Sequence, residues 1–351
     1  MLTIDILKNP PFSLNEQESL DFMDLSKRFG ITLDAFLAGA EYSKTPYTPE
    51  QQINIQQELQ NIFAITFAGK VPSHDKTYTA TAGAPGVGKS VFLEQLIAKN
   101  PDLQNAVYVD PDRQSLRLMQ CYKQMSEDLG GKAAYEMYRD ASNYICNLLM
   151  VWAIYKGYSI VHGTTSTNER VAKTILPELK CEEYKIDMHV LFADAESRRE
   201  SLLRRIEVQD FYQVTQADAK GKVAPVYDRL SDAYLKYADT VTIYYNTNEF
   251  WLCSNAIESQ ECLQQFATFD RSKDLTQVVV VPGSEVFIDK LIAEVYTEVS
   301  SEEKQELIIA MFKSWTKNPS NDYIPAFVKL LENKSPDNGD AIRPPPKLDL
   351  P

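Results

Sequence analysis

Apolar side chains recur at helical spacing over residues 14–29, over a shorter run at 32–42 and again over 49–67, where Pro49 stands in the first turn. Residues 1–75 therefore read as a helical N-terminal extension. From Lys76 the pattern changes: Thr77-Tyr78-Thr79-Ala80-Thr81-Ala82 is β-rich, runs into glycines, and gives way to helical spacing over 90–99. Further predicted strands at 106–109, 158–161, 186–192 and 241–245 alternate with predicted helices at 114–129, 133–156, 168–179, 196–208 and 227–237. Strands separated by helices imply right-handed crossovers and a parallel sheet covered on both faces. The expectation is an α/β domain over 76–283 with a five-stranded parallel core, closed by a small β addition at 249–254 and 277–281. Helical spacing at 284–296, 302–317 and 323–333 predicts a C-terminal helical region over 284–334. Residues 335–351, with Pro344-Pro345-Pro346, read as a disordered tail.

Composition narrows the class. A chain of 351 residues with 44% hydrophobic and 24% charged residues has ordinary globular usage, and its length fits one α/β domain carrying helical additions. The longest apolar stretch, 145–155, is broken by Asn147 and falls far short of the roughly 20 residues a spanning helix needs, so no membrane segment is expected. The first residues lack a basic start, an apolar core and a small-residue cleavage site. A cytoplasmic, reducing setting is the expectation. Cys121, Cys146, Cys181, Cys253 and Cys262 are scattered, without zinc-site spacing, and read as buried thiols. A net charge of −13 repels polyanions, which argues against a nucleic-acid partner.

The most specific motif is Gly83-Ala84-Pro85-Gly86-Val87-Gly88-Lys89-Ser90, a Walker A pattern lying between a predicted strand and a predicted helix. Backbone amides must approach phosphate oxygens closely here, in conformations a Cβ would obstruct, and the following helix adds its dipole. Lys89 is expected to bridge β- and γ-phosphates and Ser90 to ligate Mg²⁺. No strand ending in the metal-binding acid of a motor ATPase, and no base-recognition motif of a GTPase, is evident. Instead the second strand delivers Val109-Asp110-Pro111-Asp112 to the carboxyl edge of the sheet, where ligands of such folds bind. A carboxylate there can take the proton of an acceptor hydroxyl, although helix capping is the alternative role for Asp110 and Asp112.

With these residues in place, the stretch 76–245 resembles the zeta toxin-like kinases, P-loop proteins related to polynucleotide kinases. The resemblance is carried by the loop at Gly83 to Ser90, the Asp-x-Asp of Asp110 and Asp112, Gly163-Thr164 after the third strand, and a lid with Arg204, Arg205 and Lys222. It implies transfer of the γ-phosphate of ATP or GTP, with Mg²⁺, to a hydroxyl of a small nucleotide-type molecule such as a UDP-sugar. It also implies Asp112 as base and second metal contact with Asp110 beside it; Asp110 and Arg113 equally reproduce the Asp-x-x-Arg spacing of polynucleotide kinases. Toxicity, delivery into a host cell and a neutralising partner or antitoxin go with the family, the partner being expected on the helical extensions.

The acceptor loop departs from the family pattern. Where members carry Glu-Gly-Thr-x-Arg, this chain has His162-Gly163-Thr164-Thr165-Ser166. His162, Thr164 and Ser166 are the expected acceptor contacts, and the exchange of Glu for His argues for an acceptor other than a UDP-sugar. Arg204, Arg205 and Lys222 would supply positive charge around the transferring phosphoryl group, unless the two arginines belong to an ordinary solvated helix face. NAD or another dinucleotide is the alternative acceptor and an RNA 5′ end a third. An ATP-gated interaction protein without turnover is the competing class.

Overall fold

Two helices near the start of the described residues each begin where side chains satisfy the first-turn amides. Asn15 accepts from Glu18 N while Glu18 reaches back to Asn15 N, which starts α1 (Glu16–Arg28). Thr48 and Gln51 make the same reciprocal pair before α2 (Pro49–Phe67). Neither helix buries its apolar stripe alone. Phe12, Phe22 and Phe63 meet Trp152 edge-on, with ring centroids 5.2, 5.7 and 5.5 Å away. The extension thus shares one hydrophobic core with the rest of the molecule. The computed structural model describes residues 7–31, 47–208, 221–247, 263–273, 275–281 and 283–317. The expected helices at 32–42 and 323–333, the strand at 249–254 and the tail at 335–351 lie outside them.

Among the described residues the sheet has seven strands in the order β2-β3-β1-β4-β5-β6-β7. β1 (Thr77–Ala82), β2 (Val107–Val109), β3 (Ile160–His162), β4 (Lys185–Ala193) and β5 (Thr240–Asn246) are mutually parallel, the five-stranded core that the alternation predicts. β1 and β3 are buried along almost their whole length, as strands covered on both faces must be. The chain runs from β1 to β2 on one side and later from β3 across to β4 on the other, so the carboxyl end of β1 faces the crevice where open α/β sheets bind ligands.

β6 (Leu263–Asp270) and β7 (Leu275–Val280) extend the sheet antiparallel to β5. The sequence predicts the second but not the first, because a bulge opposite Ile243/Tyr244 turns both Phe266 and Ala267 inward and destroys strict alternation.

Helices cover the sheet. α3 (Lys89–Lys99) follows β1 directly. The predicted helix at 114–129 is instead a π-turn at Pro111–Ser115, a 3-10 turn at Leu116–Leu118 and, after an extended Met119, α4 (Gln120–Leu129). The break has two causes. Leu116 and Met119 are both driven fully inside, and a carboxylate from α2 supplies the new helix start: Glu58 Oε1 accepts from Cys121 N at 2.9 Å. α5 (Gly131–Tyr155) is polar along one stripe of its first half and buried on nearly all sides from Tyr144 to Ile154. α6 (Ala195–Val208) follows β4. α7 (Glu285–Glu298) reaches back under the phosphate-loop region, where Glu294 pairs with Arg198 at 2.6 Å, and α8 (Glu302–Lys317) packs on it. No helix among the described residues is long and apolar enough to cross a membrane.

Candidate active site

The loop after β1 is shaped by glycines in the left-handed half of backbone space. Gly83 has φ 148°, and a Cβ there would stand 2.5 Å from Leu191 O; at Gly86, φ 89°, it would stand 2.5 Å from Arg198 O. Neither place admits a side chain. Val87 is buried and its carbonyl accepts from Asn246 Nδ2 at 3.3 Å, so the end of β5 props the loop from behind. Gly88, φ 98°, starts α3 without a side-chain cap, which leaves the first-turn amides to the loop's concave side. Lys89 Nζ folds over that concavity and donates to Gly83 O and Ala84 O, both at 2.9 Å. The arrangement can hold an anion by backbone amides with an ammonium beside it.

Across a cleft of about 410 Å³ lies the end of β2. That volume is within the ~300–1,000 Å³ typical of small-molecule sites. Asp110 and Asp112 both line it, yet in different states. Asp110 is buried: Oδ1 accepts from Asp112 N at 2.8 Å and Arg113 N at 2.9 Å, Oδ2 accepts from Tyr108 Oη at 2.9 Å, and Gly163 presses against the carboxylate. Burial raises its pKa, and the neighbouring Asp112 adds to the rise. Asp112 is one third exposed, and its Oδ1 stands 3.0 Å from Arg139 Nε but accepts no aligned hydrogen bond. A carboxylate oxygen enclosed at the cleft without a donor is uncommon, because buried polar atoms are nearly always satisfied.

The opposing wall comes from α5 and was not foreseen in the sequence. Tyr135, Arg139 and Asn143, spaced four apart, present one face of the helix to the cleft. Arg139 Nε donates to Tyr135 Oη at 3.1 Å and Nη1 bonds Asn143 Oδ1, so the guanidinium is fixed by residues one turn before and after it. Ser142 of the same helix donates to Pro111 O at 3.0 Å and pins the turn that carries Asp112. The signal in the sequence was a set of polar residues at spacing four in the first half of a helix whose second half is apolar.

Of the acceptor-loop residues, Gly163, Thr164 and Thr165 line the cleft. His162 and Ser166, expected to touch the acceptor, point elsewhere. Ser166 is buried with φ 52°, donates from Oγ to Thr81 O at 2.8 Å and accepts from Tyr234 Oη at 2.7 Å, which locks the loop onto β1. His162 is buried in β3 and shares a 2.7 Å hydrogen bond between Nδ1 and Tyr78 Oη. Burial, with Arg170 nearby, pulls its pKa down to about 4.

That shift has a consequence for stability. The unfolded chain protonates His162 near 6.5 while the folded chain stays neutral down to about 4, so stability is full above pH 6.5 and falls as pH drops through this window. The loss amounts to roughly 3 kcal/mol. Urea denaturation at pH 7.5 and 4.5 should show His162→Gln losing that much less than the parent; equal losses would assign the pH dependence to other groups.

Around the rest of the cleft, Lys222 contributes its exposed ammonium, and Arg113 pairs with Glu94 of α3. Arg204 and Arg205 lie on α6, and their side chains fall outside the described residues. The lining carries four cationic side chains, Lys89, Arg113, Arg139 and Lys222, against two carboxylates, in a chain of net charge −13. The positive balance is therefore local, as a site for anionic ligands requires.

A family model described as zeta toxin matches residues 68–248. Among solved structures, the chain is similar at 18% identity to the PezAT chromosomal toxin-antitoxin system of Streptococcus pneumoniae, over 63% of this chain and 89% of that one, with a TM-score of 0.45. It is also similar at 13% identity to the AvrRxo1-ORF1:ORF2 complex with ATP, over 81% of this chain and 90% of that one, with a TM-score of 0.49. A search of curated proteins finds no match.

Proposed function

Because the chain belongs to the zeta toxin family, with its P-loop fold, we propose that it is a kinase moving the γ-phosphate of ATP onto a hydroxyl of a small nucleotide-type molecule. The observation that carries this reading is the Asp112 carboxylate, one third exposed, lining the same cleft as the phosphate loop. An acceptor hydroxyl donating to the exposed part of that carboxylate would be aimed at the loop by the same contact.

In this mechanism the β- and γ-phosphates rest on the amides from Gly86 to Ser90. Lys89 swings from the Gly83 and Ala84 carbonyls to the phosphates. Asp112 removes the hydroxyl proton as the acceptor oxygen bonds to the γ-phosphorus, and the bond to the departing ADP breaks. Lys222, with Arg204 and Arg205 from α6, neutralises charge on the equatorial oxygens. Ser90, whose hydroxyl lines the cleft, and Asp112 are the residues that would hold Mg²⁺. No cluster of three or more ligating side chains occurs among the described residues, which suits an ion that keeps its waters and binds phosphates rather than a protein cage. When bound, the ion supplies further charge neutralisation. Asp110 shapes the turn rather than taking the proton, since both its oxygens are already engaged.

A toxin role and a protein antitoxin belong to the same proposal. The acceptor, with NAD-like dinucleotides among the choices, is found by incubating the protein with a metabolite pool and γ-labelled ATP, followed by mass spectrometry. A labelled small molecule is the expected product. Label confined to ATP and inorganic phosphate would overturn the kinase assignment.

A further inference from the structure

Beneath the phosphate loop, three residues far apart in the chain meet at one nearly buried carboxylate. Glu294 of α7 accepts from Arg198 Nη1 at 2.6 Å through Oε1 and from the Tyr227 hydroxyl through Oε2. Only 13% of the Glu294 side chain and 9% of the Arg198 side chain are exposed. Arg198 belongs to the first turn of α6, and the same Nη1 also donates to Ala193 O at the end of β4. Tyr227 sits on the short helix Ala224–Arg229, fully buried and stacked on Phe192 at 5.2 Å. Burial, and then the carboxylate beside it, push the phenol far above its usual pKa, so it stays a donor.

The nucleotide side of the cleft rests on this junction. Gly86 lies so close to the Arg198 backbone that a Cβ there would stand 2.5 Å from Arg198 O and 3.0 Å from its Cα. The loop residues Ala84 and Val87 share a small void with Arg198, Tyr227 and Glu294. One turn beyond Arg198, Leu202 lines the cleft, as does Lys222 shortly before Tyr227. Among the described residues, none of α7 lines the cleft itself.

We propose that Glu294 is a positioning residue for the nucleotide: from α7 it holds Arg198 and Tyr227 together, and through them it sets the floor under Gly86 and the approach of Lys222. α7 and the phosphate loop then order as one unit. The inference rests on the nucleotide-binding half of the kinase reading and gives the C-terminal region a part in it. A buried ion pair is a poor source of net stability, because desolvation offsets the attraction, but removing one partner leaves the other charge uncompensated. Without Glu294 the guanidinium must turn toward water, and its backbone, packed on Gly86, moves with it.

The test titrates the full chain with the imido analogue of ATP and Mg²⁺ by calorimetry, where circular dichroism shows each variant folded. Glu294→Ala should weaken binding by about 5- to 150-fold, the usual size of coupling between linked sites. Glu294→Gln, which still accepts from Arg198 and can pair with Tyr227, should recover most of the loss. Tyr227→Phe, which keeps Arg198 paired and removes one bond, should fall between parent and Glu294→Ala. Hydrogen exchange supplies a readout that a merely structural residue would not move. The analogue should slow exchange in α7 beyond the slowing seen in α1, and that excess should vanish in Glu294→Ala. Parental affinity in folded Glu294→Ala, or α7 protection no greater than that of α1 in the parent, overturns the inference; if Glu294→Ala does not fold, parental affinity in Tyr227→Phe does so. The two proposals fail separately. Phosphate transfer by a parent whose α7 is uncoupled from the nucleotide removes this role and leaves the kinase. Coupled binding with no transfer to any metabolite removes the kinase and leaves this role, and a parent that binds no nucleotide overturns both.

Discussion

Asp112→Asn should lower phosphate transfer by about 10²–10⁴-fold, the usual contribution of a positioned general base, while binding Mg-ATP within about threefold of the parent. The substitution preserves shape and removes both the ability to take a proton and the charge facing Arg139 and Mg²⁺, while the loop amides, Lys89 and Ser90 still hold the nucleotide. Asp110→Ala should behave differently. It strips the acceptor from the amides of Asp112 and Arg113 and from the Tyr108 hydroxyl, so its first effect is on stability, a loss of about 1–3 kcal/mol for buried donors left unmet. Chemical denaturation and single-turnover transfer, measured on both variants, separate the roles. Turnover within tenfold of the parent in Asp112→Asn would move the base elsewhere, and an unchanged stability in Asp110→Ala would deny it the structural role.

What the sequence made legible follows from how local the causes are. The phosphate loop could be read because each glycine answers a constraint within a few residues, the closeness of Leu191 O or Arg198 O being the only distant element. The parallel core could be read because strands such as β1 and β4 are short and continuous, between helices with clear periodicity. Asp110 and Asp112 were legible as a pair at the end of β2, but not in their division of labour. That division depends on which carboxylate Gly163 and Tyr108 enclose: Gly163 lies far along the chain, and that the nearby Tyr108 hydroxyl reaches Asp110 rather than Asp112 is settled only in the fold. His162 shows the same limit from the other side. In a strand buried on both faces, alternation cannot say whether a histidine looks into the cleft or toward Tyr78. Arg139 was missed for a related reason: on the sequence it is one polar residue in a long helix, and only the fold brings it beside Asp112, 27 positions earlier. The π-turn at Pro111–Ser115 replaces regular helix because contacts from α2 and α5, at Thr66 and Ser142, hold it there.

Gly163→Ala tests how tightly these distant parts are coupled. A Cβ at this position would stand 2.5 Å from Asp110 Oδ2, and 3.0 and 3.1 Å from Cγ and Cβ of the same side chain. Neither side can yield cheaply. The Gly163 amide is tied to Val109 O at 2.8 Å, and the Asp110 carboxylate is held by three hydrogen bonds. The added methyl must therefore break some of those bonds or part β2 from β3, at a cost of about 2–4 kcal/mol. Because the turn carrying Asp112 hangs on Asp110 Oδ1, transfer should fall by at least about tenfold, the scale of displacing a reacting group by a fraction of an ångström, with ATP binding intact. A double-mutant cycle with Asp110→Ala decides whether the effect runs through the carboxylate. If it does, the pair should cost markedly less than the sum of the single changes, since truncating Asp110 both loses the bonds and makes room for the methyl. Strict additivity would show that Gly163 acts on the β2–β3 backbone alone, and that Asp112 is positioned by the α5 contact at Ser142 rather than by Asp110.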